Sequence, residues 1–140
     1  MARVITKADL QSVTRHFKLL GSLVKKPDGP PGIEKCESEI ERRFFMASYD
    51  RLKKLGSYVP QYQFGSYRLD FALITSRRTI AIEADGHDYH STKEQKAHDT
   101  KRDRYLLAEG VIVIRFTGSE IYASVDSCIE EVLQICQKFT

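Results

Sequence analysis

Three stretches rich in aromatic and β-branched residues, 58–64, 67–75 and 79–85, follow one another with only Gly65-Ser66 and Ser76-Arg77-Arg78 between them. Connections this short join antiparallel strands; parallel strands need a crossover of about a dozen residues or more. These stretches therefore predict a three-stranded antiparallel meander. Beyond it, Ser91-Thr92-Lys93-Glu94 has the form of a capping box, and the charged stretch that follows closes at Gly110, the residue type favoured just past a helix end. The nearly all-apolar run 111–116 then reads as a fourth strand, buried on both faces and reached by a helical crossover, hence parallel to its neighbour.

The meander is preceded by two helical segments. Leu10, Val13, Phe17 and Leu20 recur at helical spacing behind Thr6, a good N-cap. Ser38-Glu39-Ile40-Glu41 is a second capping-box start, for a helix running to about Leu55 before Gly56. Between them, Lys25-Lys26-Pro27-Asp28-Gly29-Pro30-Pro31-Gly32 cannot continue a helix, because its prolines lack donors and its glycines favour turns. This divides the chain into an N-terminal helical arm and linker, residues 1–32, and a main domain, 33–140. At the far end Ile121, Val125, Cys128, Ile129, Val132, Leu133 and Ile135 form the apolar stripe of one C-terminal helix. The expected fold class is α/β, a mixed four-stranded sheet flanked by helices.

Composition narrows the setting more than the function. The 140 residues, 41% hydrophobic and 29% charged, suit one globular domain with a single core. No apolar run approaches the roughly 20 residues that span a bilayer, and the first residues lack a signal-peptide core, so a cytoplasmic protein off the membrane is expected. Cys36, Cys128 and Cys136 are widely spaced with no Cys-x-x-Cys pair, and read as reduced structural thiols. A formal charge of +3 permits phosphate-backbone binding without demanding it.

The chemistry concentrates where carboxylates interrupt apolar strands, in Leu69-Asp70-Phe71-Ala72 and Ile82-Glu83-Ala84-Asp85-Gly86. Ionised carboxylates beside a core are costly unless paired, hydrogen-bonded or bound to a metal. If Ser76-Arg77 is the centre of the hairpin, Asp70 and Glu83 stand opposite each other, about 5 Å apart at Cβ. Asp85 shares a face with Glu83 by the strand period of two. Like charges so close raise the pKa of one acid unless a divalent cation lies between them, and hard oxygen ligands suit Mg²⁺ or Mn²⁺. Plainer readings stand beside this one: Asp70 paired with Arg68, Arg77 or Arg78, and Asp85-Gly86 as a simple strand-ending turn. Glu41 fits the capping box by itself, yet shares the margin of the apolar face with Phe45 and Leu52. His87 and His90 follow the acidic strand, and a neutral imidazole there can exchange a proton with water or a leaving group. Asp99, Arg102 and Asp103 are neighbours on the third main helix, where a solvated ion pair is the plain alternative.

Taken together, Glu37-Ser38-Glu39-Ile40-Glu41, Tyr67-Arg68-Leu69-Asp70-Phe71, Ile82-Glu83-Ala84-Asp85-Gly86 with His90, Asp99 with Arg102-Asp103, and Gly110 to Arg115-Phe116 resemble one family. It is the very-short-patch-repair-endonuclease-like branch of the PD-(D/E)XK nuclease superfamily, and the resemblance covers roughly residues 36–136. It implies a restriction-endonuclease-like core and a Mg²⁺-dependent DNA endonuclease, with Mn²⁺ able to substitute. It also implies that Asp70 and Glu83 hold the metal with the Ala84 carbonyl and Glu41. His90 falls at the repair enzymes' catalytic histidine, and Asp99 or Asp103 at their supporting acid. Arg102 or Arg115 would steady phosphate or an acid. Two departures stand out. Asp85 occupies the place of the superfamily's lysine in Glu-x-Lys, and neither the zinc-site cysteines nor a wedge Trp of the mismatch enzymes is matched. The alternative from another class is a catalytically silent nucleic-acid-binding module or accessory subunit on the same fold. Oligomeric state is left open by the sequence.

Overall fold

The structure, a computed structural model, describes residues 4, 6–23, 28–85 and 92–139, the side chains of 17–23 excepted. In order these form α1 (Lys7–Leu23), a 3-10 turn (Ile33–Lys35), α2 (Glu39–Leu52), β1 (Ser57–Phe64), β2 (Tyr67–Ile74), β3 (Thr79–Asp85), α3 (Lys93–Ala108), β4 (Ile112–Thr117), α4 (Gly118–Ala123) and α5 (Val125–Phe139). The meander is present as its short turns require. β1, β2 and β3 are antiparallel neighbours, and β4 joins β3 in parallel after the α3 crossover, giving the order β1-β2-β3-β4. The β2–β3 hairpin turns on Ser76-Arg77, with the Thr75 N–H donating to the Arg78 carbonyl at 2.9 Å. That turn sets the register from Ile74 opposite Thr79 to Phe71 opposite Ile82.

Helices cover the sheet on both faces. The larger core joins Phe44, Phe45 and Leu52 of α2 and Ile121, Ile129 and Val132 of α4 and α5 to Phe71, Leu73, Ile80 and Ile82 of the sheet. The smaller joins Leu106 of α3 to Leu69, Ala72, Ala81 and Val111. The centre of the larger core is aromatic. Phe71 packs within 6.0 Å, centroid to centroid, of Phe44, Phe45 and Tyr58, and the Tyr58 hydroxyl is held by Ser48 Oγ at 2.7 Å. All three cysteines are buried. Among the described residues no helix is long and apolar enough to cross a membrane.

Three local expectations are corrected. β4 is an edge strand buried on one face, with Ile114 and Phe116 inward and Arg115 and Thr117 exposed; the strand buried on both faces is β3. The single C-terminal helix is two, broken at an extended Ser124. Thr117 and Glu120 cap α4 reciprocally, and Ser124 Oγ accepts the Ser127 N–H at 3.2 Å at the start of α5. The apolar stripe runs unbroken across this joint because Ile121, Val125 and Cys128 keep helical spacing through it. The capping box of α3 is formed by Thr92 with Gln95, and Ser91 lies outside the described residues. Its other end follows expectation: Gly110 is left-handed (φ 75°), and the Val111 N–H reaches the Leu106 carbonyl at 2.9 Å while Gly110 N–H reaches Leu107. That is a Schellman closure, with Leu106 and Val111 in contact as its apolar clasp.

Phe71→Ala removes the ring on which three others pack and is expected to lower unfolding free energy by about 3–5 kcal/mol. Leu107→Ala, at a side chain 76% exposed, should change it by under about 0.5 kcal/mol. Urea denaturation of the two variants checks the contrast.

Candidate active site

The β2–β3 ladder ends at Phe71–Ile82, one step before Asp70 and Glu83, which the continuing register sets opposite each other. In place of another backbone pair, the Ala84 N–H donates to Asp70 Oδ2 at 2.9 Å. The carboxylate thus fills the gap left as the strands part. On the other side of β2, Pro60 pairs with Phe71 and Tyr62 with Leu69, leaving Gln61 level with Asp70 and outside the ladder. On the other side of β3, Glu83 is in register with Arg115. A polar row, Gln61, Asp70, Glu83 and Arg115, therefore crosses all four strands.

Burial makes this row electrically unusual. Glu83 is only 6% exposed, and its Oε1 accepts from Arg102 Nη2 at 2.5 Å, with that guanidinium itself largely buried. Desolvation raises the Glu83 pKa, opposed by the Arg102 charge and hydrogen bond. Among the described residues Asp70 has no such cation. Burial, then the facing Glu83, push its pKa up to about 7, against the lowering effect of the Ala84 N–H. The expected pairing of Asp70 with Arg68 is not what forms: Arg68 binds Glu37 at 2.5 Å.

Glu41 arrives from α2 and is 7% exposed. Ser38 Oγ accepts the Glu41 N–H at 3.2 Å, the first half of the expected capping box. The second half is altered. Glu41 Oε2 takes the N–H of Glu37 at 2.7 Å and the side-chain amide of Gln61 at 3.1 Å. Desolvation chiefly, with help from the Asp70 charge, raises its pKa despite those two donors. A helix cap has been turned into an inward-facing acid beside Asp70.

The remaining expected residues separate. Asp85 pairs with Arg115 Nε at 3.4 Å, and Arg115 also reaches Asp103 at 3.5 Å, so these three form a chain at the rim. Asp99 is exposed, with His98 at 3.8 Å; its expected helical neighbour Arg102 turns instead to Glu83. Glu39 pairs with Arg42 at 3.8 Å on the exposed side of α2. His87 and His90 lie outside the described residues. Gln61 was not foreseen: it has a left-handed backbone, φ 51°. The signal that pointed toward it was Pro60, because a proline within a strand marks an edge or an irregularity.

Asp70, Glu83, the Ala84 carbonyl and Glu41 offer only oxygen donors, the chemistry a hard divalent cation prefers. Among the described residues no three His, Cys, Asp or Glu side chains already converge as a finished metal cage. What is present is an acid pair with one member held by Arg102, and a third acid electrostatically coupled to the other member. That arrangement fits a cation through its unrelieved like charge.

Comparison with known proteins places this geometry in a family. Residues 44–135, about two thirds of the chain, match the model of the REase_MTES_1575 family, which is restriction-endonuclease-like. Among curated proteins, the uncharacterized protein YcjD of Escherichia coli (strain K12) is 32% identical over 74 residues, 53% of this chain and 59% of that protein. An uncharacterized protein of Haemophilus influenzae is 32% identical over 68 residues, 49% of this chain and 40% of its own length. The chain thus spans roughly half the length of these relatives. With its mixed sheet, its parting β2 and β3 and the acids at that opening, this chain belongs to the REase_MTES_1575 family of restriction-endonuclease-like proteins.

Proposed function

We propose that the protein is a Mg²⁺-dependent endonuclease hydrolysing DNA phosphodiester bonds, and that within its family it stands near the very-short-patch-repair-like branch. The observation that carries this reading is the Asp70–Glu83 apposition: a half-buried acid faces a buried one, and Arg102 binds Glu83. A structural ion pair needs only Glu83 and Arg102. The additional acid is a destabilising feature without a divalent cation, and restriction-endonuclease-like folds typically use one.

In this reading Asp70, Glu83, Glu41 and the Ala84 carbonyl hold Mg²⁺, with Mn²⁺ as a substitute. When bound, the cation polarises the phosphoryl oxygen and lowers the pKa of the attacking water. Arg102 fixes the Glu83 carboxylate and opposes the rise in its pKa that burial causes. Arg115, tied to Asp85 and Asp103, lies at the rim, where it can meet a phosphate. His90 passes a proton to the leaving oxygen, and Asp99 supports it from α3. DNA approaches the sheet end at which β2 and β3 part.

Asp70→Ala should lower Mg²⁺-dependent cleavage of plasmid DNA by at least about a hundredfold, while Glu39→Ala, on the exposed side of α2, should leave it unchanged. An Asp70→Ala protein that cuts as fast as the parent would sink the assignment, and salt-sensitive DNA binding by the parent with no cleavage would favour a silent binding module.

A second expectation concerns stability without metal. The folded pKa of Asp70 is raised to about 7, so the fold favours its protonated form. That advantage is fully present below about pH 4, where the unfolded chain is protonated too, and is lost as pH rises to about 7. Asp70→Asn, which stays neutral and can still accept the Ala84 N–H, should therefore melt several degrees above the parent at pH 8 in EDTA. The difference should shrink toward pH 4, and Mn²⁺ at pH 8 should stabilise the parent only. Differential scanning calorimetry reads all three.

A further inference from the structure

Gln61 is the one non-glycine residue with positive φ among the described residues, and the sheet changes character at that point. Side chains of like parity along a strand face one way. Yet Tyr58 packs in the α2 core while Tyr62 and Phe64 pack in the α3 core. Across the ladder Phe71 and Leu73 belong to the first core and Leu69 to the second. The hairpin of β1 and β2 thus exchanges faces at Gln61 and Asp70, the step its pairing omits. This explains how Asp70 meets both Glu41, on α2, and Glu83, whose partner Arg102 is on α3.

A face exchange alone needs a left-handed residue, for which glycine or asparagine serves with less strain than glutamine. Glutamine adds reach. From this backbone its amide Nε2 donates to Glu41 Oε2 at 3.1 Å, the same oxygen that takes the Glu37 N–H. Two donors on one oxygen turn the carboxylate about a fixed axis and leave Oε1 as its uncommitted oxygen among these bonds. Backbone strain of this kind persists where the surrounding structure uses it.

We infer that Gln61 is a positioning residue: its amide holds the Glu41 carboxylate as the third oxygen donor of the cation site formed with Asp70 and Glu83. The inference rests on the metal-dependent reading given above. It assigns Gln61 no contact with the cation or the nucleic acid; it acts through Glu41.

The test uses the full chain without nucleic acid, titrated with Mn²⁺ in a calorimeter, beside melting in EDTA. Gln61→Asn keeps an amide and tolerates the left-handed backbone, but is one methylene too short to reach Glu41. Gln61→Gly keeps the backbone conformation with no side chain. Both should melt within a few degrees of the parent in EDTA and bind Mn²⁺ about tenfold more weakly, the loss usual for a group that orients a metal ligand. Mn²⁺ affinity within twofold of the parent in both variants overturns the inference, as does a large fall in melting temperature with affinity unchanged, which would mark a structural role. Asp70→Ala separates the two levels. If it abolishes Mn²⁺ binding while Gln61→Asn binds like the parent, only the role of Gln61 falls. If the parent itself takes no Mn²⁺, the metal-dependent reading falls and this inference with it.

Discussion

A carboxylate at the end of a strand that is hydrogen-bonded on both edges and buried on both faces has little access to water, and Glu83 is in that position. Arg102 reaches it from α3 and offsets part of the cost of burying its charge. Much of the molecule is arranged around that pair. The α3 crossover, capped by Thr92 at one end and closed at Gly110 at the other, both makes β4 parallel and carries Arg102 over β3. Removing either partner would strand a buried charge, an effect of several kcal/mol, whereas the rim pairs around Arg115 are half exposed and contribute little to stability.

Asp70 has a different status because the fold supplies it with a hydrogen bond but no cation. One N–H lowers its pKa, yet desolvation and Glu83 outweigh it. The parting of β2 and β3 follows from the same geometry. A backbone pair at Asp70–Glu83 would close the sheet over both carboxylates, and the Ala84 N–H, drawn to Asp70 Oδ2, holds the strands in the open arrangement. Local pairing is exchanged for an exposed acidic mouth, a loss made tolerable by the aromatic packing of Phe71 one residue away.

How far this was legible in the sequence depends on the range of the interaction. The meander, the parallel fourth strand and the opposition of Asp70 to Glu83 follow from turn length and strand period, which are local, and the two-residue turn at Ser76-Arg77 carries the register unaided. Glu41 could be read either as a cap or as an inward acid, and it does part of both. The break at Ser124 was hidden because an apolar stripe can cross a helix joint without losing phase. Double burial was misplaced from β3 to β4 because composition reports apolarity and not position in the sheet: Arg115 and Thr117 are outward at an edge that no local pattern identifies. The destination of Arg102 was a choice between a helical neighbour and a strand nineteen residues away. Gln61 was invisible for a further reason, since its role depends on an exchange of faces that only the assembled hairpin displays.

The same long-range view accounts for Asp85, the residue that departs from the superfamily's Glu-x-Lys. A lysine there would place a third cation beside Arg102, which holds Glu83, and Arg115, which pairs with Asp85. Instead Arg115 joins Asp85 to Asp103 across β3, β4 and α3. Arg115 itself stands on the neighbouring strand, in register with Glu83. An arginine cannot give up its proton near neutral pH, so it can orient and attract phosphate but cannot serve as a base.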